Sequence, residues 1–187
     1  MSNKKTALTV ALGAIALGSQ AHADFLSDSK ATVGMRNFYF NNDNRDGTAA
    51  PSKTEEWAQG FMLDYKSGYT DGTIGIGVDA LGLMGITLDS GMGRHVGSSM
   101  IPSDSDNSAV DQWSRLGLTG KVKVSKSELR LGTLMPKMPI LVSNDGRLLP
   151  QTFEGGQITS GEFKDLTLTG GRIEHATGRG SSDRTGL

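Results

Sequence analysis

Short and long connections alternate strictly along this chain, and that order constrains the fold more than any single motif. Seven segments alternate residue by residue in the manner of β-strands: 31–41, 55–69, 73–88, 113–124, 128–135, 155–162 and 166–175. Three junctions are tight, at Ser67-Gly68-Tyr69-Thr70-Asp71-Gly72, Ser125-Lys126-Ser127 and Phe163-Lys164-Asp165. The junctions between them are long and polar, at 41–54, 89–111 and 136–154. Turns along one rim and loops along the other are the pattern of an antiparallel transmembrane β-barrel. A soluble Greek-key sandwich gives no reason for such alternation.

The strands themselves fit a sheet with one apolar face and one polar face. In 113–124 the even positions read Ser114, Leu116, Leu118, Gly120, Val122 and Val124. The odd positions after Trp113 read Arg115, Gly117, Thr119, Lys121 and Lys123. One set suits lipid and the other suits water. A soluble sandwich strand shows the same pattern, so this segment alone does not decide. In 55–69, Trp57, Phe61, Leu63, Tyr65 and Tyr69 share a face, with Gln59 as an exception, against Ala58, Gly60, Asp64 and Lys66. Trp57, Tyr65 and Tyr69 read as girdle and lipid-face aromatics. In 73–88, Ile74, Ile76 and Val78 alternate with Gly75, Gly77 and Asp79, and the phase then slips near Ala80, which predicts a bulge.

No segment approaches the ~18–20 consecutive apolar residues of a membrane helix. A membrane form of this chain must therefore be a closed barrel. Composition agrees: hydrophobic residues make up only 36% and there are 26 glycines. A polar lumen face tolerates that, whereas a soluble α/β domain is usually richer in apolar residues. There is no cysteine, so disulfide scaffolds and thiolate chemistry are excluded.

Residues 1–23 read as a cleaved signal peptide. Lys4 and Lys5 precede a small, apolar stretch from Ala7 to Gly18, and Ala21-His22-Ala23 fits a small-x-small cleavage site. The mature chain, 24–187, then begins at Asp24. Without Lys4 and Lys5 the basic count falls from 19 to 17 against 20 acids, a net of −3. Nothing in that balance points to nucleic acid. The last residues, 178–187, read as an unfinished loop. Seven strands are an odd number for a single-chain barrel, so the expectation is a partial barrel sequence.

Several stretches resemble the OprD family, the substrate-specific porins of pseudomonads. They are Arg36-Asn37-Phe38-Tyr39-Phe40, Glu56-Trp57-Ala58-Gln59-Gly60-Phe61, Gly75-Ile76-Gly77-Val78-Asp79-Ala80 and Ser125-Lys126-Ser127-Glu128-Leu129. The long loop adds Pro139 and Asn144-Asp145-Gly146-Arg147-Leu148-Leu149-Pro150-Gln151-Thr152-Phe153. The resemblance implies an eighteen-stranded outer-membrane barrel, of which this chain holds about seven strands at the N-terminal end. It implies a passive pore for small carboxylate-bearing solutes, neither an enzyme nor a user of cofactors. It places the protein among outer-membrane lipid and lipopolysaccharide, as a homotrimer when full length. Loop 136–154 matches the family's inward-folding constriction loop, Arg147 its pore-facing arginine, and Arg36 the arginine before the aromatic end of the first strand.

Elementary chemistry suits those roles. A guanidinium stays charged and presents paired donors that match a carboxylate. Arg115, Lys121 and Lys123 share a polar face and are candidates for the wall potential. Asn144 and Asp145 form a turn between Pro139 and Pro150. Asp145 suits a cationic group of the solute, a pairing with Arg147, or a turn cap. The form of this loop resembles the family branch for aromatic and other monocarboxylates more than the branch for basic amino acids and peptides. A barrel enzyme and an exported β-sandwich binding protein are the readings from other classes.

Other signals carry less. Gly91-Met92-Gly93-Arg94-His95-Val96-Gly97 departs from phosphate-loop spacing and reads as a flexible outer loop. His95 and His175 show no metal-ligand spacing, so no metal is expected. If the barrel reading holds, unboiled full-length protein migrates differently from boiled protein in detergent gels. A sandwich shows a single position under both conditions.

Overall fold

A computed structural model describes residues 22–187 except 46, 49–51, 92, 96 and 97. The expected signal peptide therefore lies almost wholly outside the described residues. Among these residues one short helix, α1 (His22–Ser27), precedes ten strands. They are β1 (Lys30–Asp43), β2 (Lys53–Lys66), β3 (Ile74–Asp89), β4 (Gln112–Val124) and β5 (Ser127–Leu134), then β6 (Lys137–Met138), β7 (Leu141–Val142), β8 (Thr152–Ser160), β9 (Leu168–Thr177) and β10 (Arg184–Gly186). No helix among the described residues is long and apolar enough to cross a membrane.

Eight strands form one antiparallel meander in the order β1-β2-β3-β4-β5-β8-β9-β10. Each strand pairs with its neighbour in sequence, apart from the β6–β7 hairpin, which stands outside the sheet within the long loop. All seven expected strands are present. The eighth, β10, comes from residues that read as an unfinished loop; it pairs Arg184–Gly186 against β9. The long loop is also shorter than expected, because β8 begins at Thr152.

The side-chain alternation is the one that the pattern predicts. On β4, Leu116 and Leu118 are exposed on the outer face while Trp113, Thr119 and Lys121 are buried on the inner face. On β2, Thr54, Glu56, Ala58 and Gly60 are buried and Trp57 and Leu63 are exposed. Outer-face Ile74, Ile76 and Val78 of β3 continue this apolar band.

The bulge expected near Ala80 is not there. Pairing with β2 runs unbroken from Lys66↔Asp79 to Ala58↔Thr87, and pairing with β4 from Ile74↔Val124 to Ile86↔Gln112. The register shifts at the far end instead, between Trp57 and Ala58. The apparent slip arises because Leu81 and Leu83 are apolar residues on the inner face. They meet the loops that fold onto it: Leu83 joins Ala58, Met100, Ile101, Trp113, Leu148 and Leu149 in the core. Trp113 fills the space left by Gly85, its cross-strand partner, whose missing Cβ would collide with the indole ring.

The tight-turn rim is stitched by side chains. Ser125 and Asp165 take left-handed backbone, φ 53° and 60°. The Glu162 carboxylate accepts the Lys126 N–H at 2.7 Å and the hydroxyls of Ser125 and Ser127 at 3.1 Å. The first of these contacts holds its carboxyl below the usual range. Helix α1 sits at this same rim, with Gly68 N–H donating to Phe25 O at 3.1 Å.

Gly132 closes the β4–β5 ladder at φ 128°, and a Cβ there would run into the Leu118 carbonyl. Gly132→Ala should therefore cost roughly 1–3 kcal/mol through backbone strain. Refolding yield into detergent, read by heat-modifiable migration, should fall, while Gly170→Ala, which meets open space, should not lower it.

Candidate functional site

The loop between β5 and β8 lies over the inner face, held by inner-face strand residues and by the neighbouring loops. Gly60 of β2 leaves room for Leu148, which would stand 3.1 Å from a Cβ at that position. Leu148 and Leu149 are fully buried there. Apolar packing thus supplies the footing, and polar contacts fix the register.

Arg36 of β1 reaches across 109 residues to hold the loop. Its guanidinium donates to both Asp145 carboxylate oxygens, at 2.8 and 3.1 Å. It also donates to the carbonyls of Arg147 at 2.5 Å and Leu148 at 3.4 Å. The paired geometry is the strong form of this interaction. Both partners are partly exposed, at 27% and 55%, so the ion pair itself is screened. Arg36 and Asp145 thus compensate each other. Among the turn readings for Asp145, pairing with Arg147 is replaced by pairing with Arg36.

Arg147 is placed differently. Its Nε donates to Ser98 O at 3.0 Å, its NH1 to Gly146 O at 3.0 Å, and its guanidinium lies 4.9 Å above the Phe40 ring. It forms no ion pair with a carboxylate among the described residues. Asn144 Oδ1 accepts the Gly146 N–H at 3.0 Å, closing the turn, and also receives Arg179 NH1 at 3.2 Å. Arg179 has no carboxylate partner among the described residues either.

Arg115 of β4 points inward, as its parity predicts, but its guanidinium is taken up by backbone. It donates to Gly178 O at 2.8 Å, Ser181 O at 3.1 Å and Pro150 O. It fastens the loop between β5 and β8 to the loop before β10. Its charge remains uncompensated by any described carboxylate.

The two lysines of β4 separate. Lys121 is buried, with its ammonium 2.7 Å from Asp79 Oδ1 and 2.7 Å from Ser67 O. Asp79 also binds Arg130 at 2.5 Å. Lys123 is exposed and stands 5.6 Å from the Tyr69 ring, over which Lys121 lies at 4.7 Å. Tyr69 is therefore not a lipid-face aromatic. It lies beyond the end of β2, turns inward, and donates to Glu128. Burial, together with that carboxylate, pushes its phenol up from the ordinary value. The site candidates thus form two groups: Asn144, Asp145 and Arg147 of the loop with Arg36 and Arg115 of the strands beneath it, and Lys121 and Lys123 near the tight-turn rim.

The sequence reading passed over a third group. Glu56 is fully buried; its carboxylate meets His95 Nδ1 at 2.5 Å and accepts the Ser98 hydroxyl. His95 Nε2 lies 2.8 Å from the exposed Ser103 hydroxyl. Segment 91–97 reads as a flexible loop, yet its described residues are pinned: Arg94 pairs with Glu55 at 2.6 Å, and His95 is 6% exposed. The available signal was parity, since Glu56 shares the inner face of β2 with Ala58 and Gly60 and a buried carboxylate requires donors. Among the described residues no group of acidic or histidine side chains is arranged to hold a metal ion.

Comparison with known proteins follows this geometry. Residues 23–187 match the model of a family described as outer membrane porin, OprD family. The porin-like protein GalP of Pseudomonas putida is 46% identical over 172 residues, covering 91% of this chain and 41% of that protein. Pseudomonas aeruginosa OccK9 (OpdG) superposes with a TM-score of 0.83 at 52% identity, over 86% of this chain and 41% of that one. Pseudomonas aeruginosa OpdK, crystallised with vanillate, gives 0.76 at 42% identity, over 86% and 39%. The chain spans about two-fifths of the length of these relatives.

The anchoring role of Arg36 is testable without transport. Arg36→Ala should make Lys137 and Arg147 severalfold more susceptible to trypsin in folded, full-length protein. Lys66→Ala, whose partner Asp64 lies on the same strand, should leave the rate unchanged.

Proposed function

The chain belongs to the OprD family of outer membrane porins, and from that premise we propose that the full-length protein is a passive, selective uptake channel for small carboxylate-bearing solutes. Aromatic and other monocarboxylates are the preferred class. The observation that carries this reading is the sorting of charge on the inner loop. Arg36 is matched by Asp145, whereas Arg147, Arg115 and Arg179 have no carboxylate partner among the described residues. A loop so arranged has an excess of fixed positive charge.

The physics of a narrow pore makes that excess selective. Charges in a poorly hydrated constriction are weakly screened, and several moderate sites allow a solute both to enter and to leave. We read loop 136–151 as the constriction and Arg147 as its solute-facing cation. Lys123 adds to the potential near the tight-turn rim, while Lys121 is neutralised by Asp79. The vanillate of the OpdK structure is an aromatic carboxylate, which accords with this class. A basic amino acid or peptide would need a free carboxylate in the loop, and both oxygens of Asp145 are engaged by Arg36. The relatives are porins, and this protein is a channel component rather than an enzyme. Its place is the outer membrane. Export through cleavage after Ala23 rests on the signal segment, and a homotrimer of full-length barrels and contact with lipopolysaccharide rest on the family.

The test is current block. Benzoate added to full-length channels in a planar bilayer should reduce conductance. Arg147→Ala should raise the half-blocking concentration about tenfold or more, the equivalent of ~1.4 kcal/mol. An unchanged block would remove Arg147 from the role.

A further inference from the structure

Resting on Arg147 as the pore cation, we propose that Glu56 and His95 are positioning residues that orient it through Ser98. Glu56 stands on β2 directly opposite Phe40 in the β1–β2 register. Phe40 supports the face of the Arg147 guanidinium. The same pair of strand positions therefore supplies the ring beneath the cation and the carboxylate behind it.

The carboxylate acts through one intermediary. Glu56 accepts the Ser98 hydroxyl, and the Ser98 oxygen in turn accepts the Met100 N–H at 3.0 Å. Ser98 is thereby fixed by its side chain, and its carbonyl receives Arg147 Nε at 3.0 Å. His95 holds the other carboxylate oxygen at 2.5 Å and is itself tied to Ser103 at 2.8 Å. A buried carboxylate left without donors is strongly unfavourable. The donors that match Glu56 here, His95 and Ser98, both come from the loop between β3 and β4. That loop must close over β2 to supply them, and closing places the Ser98 carbonyl where Arg147 needs it.

The result is a guanidinium held by Nε, by NH1 and by one face, with NH2 unpartnered among the described residues. A cation held in this way presents one defined edge to a carboxylate instead of a mobile charge. Locked supporting contacts of this kind set how precisely a binding group is presented. Glu56 touches no solute, so its effect on selectivity must pass through Arg147.

The experiment uses full-length porin in planar bilayers with benzoate as the probe. Glu56→Gln keeps the side-chain shape but removes the charge-assisted bonds, and should raise the half-blocking concentration about three- to tenfold. Conductance in plain potassium chloride and heat-modifiable migration should stay as in the native protein. Arg147→Lys retains a cation but lacks the Nε donor, so adding Glu56→Gln to it should produce no further shift. An unchanged block in a folded Glu56→Gln channel overturns the proposal. An equal shift in both backgrounds also overturns it, because Glu56 would then act elsewhere. Where Glu56→Gln does not insert, Ser98→Ala removes only the hydroxyl link and is judged by the same criteria. Arg147→Ala separates the two readings. If it leaves block unchanged, the pore-cation assignment fails and the positioning proposal with it. If it abolishes block while Glu56→Gln and Ser98→Ala do not alter it, positioning alone fails.

Discussion

A strand bounded by lipid on one side must turn its polar side chains to the other, because hydrocarbon offers them no partner. In this chain that rule sends Arg36, Glu56, Asp79, Arg115, Lys121 and Arg130 to one face of a single curved meander. Crowded together, they must then find each other or find backbone. The inner surface is therefore a set of solved pairing problems. Asp79 takes Lys121 and Arg130, Asp145 takes Arg36, and Glu56 takes His95 and Ser98.

The pairings are not equivalent in what they leave behind. Where a carboxylate and a cation meet, charge cancels and the contact serves the fold. Where a guanidinium meets only carbonyls, the hydrogen-bonding demand is met but the charge persists. Arg115 and Arg147 are of the second kind. A carbonyl is an incomplete counterweight, so such arginines can be rigid and still electropositive. Anchoring a loop and keeping a positive charge are therefore compatible in one side chain.

The fold was legible because its governing period is two and its turns are short. Leu116 and Leu118 against Thr119 and Lys121 identify the two faces without help from tertiary structure. The misreadings share one cause. The inner face is not uniformly polar, because loops return to cover it. Leu81 and Leu83 are apolar there and mimic a slipped register; Tyr69 turns inward to Glu128 and mimics a girdle residue. Strand β10 escaped notice because Arg184–Gly186 contains no apolar residue to mark a face. The candidate site was legible in its residue types and not in its pairing. Arg36 and Asp145 lie 109 positions apart, and Glu56 and His95 lie 39 apart. No local period encodes which inner-face charge a returning loop will meet.

Three loops, rather than one, determine where Arg147 stands. The loop between β3 and β4 provides Ser98 O, and the loop between β9 and β10 lies so close to it that a Cβ at Gly180 would come within 2.8 Å of Ser99. Arg115 ties that last loop to Pro150, on the far side of the same segment. The segment from Asn144 to Pro150 is thus braced from both directions by backbone and from below by Leu148 and Leu149 in the core. Interfaces packed this densely shift between discrete arrangements rather than deforming smoothly. A change at one brace should therefore be felt as a displaced cation before it is felt as a loss of fold, because the sheet beneath it is held chiefly by strand-to-strand pairing.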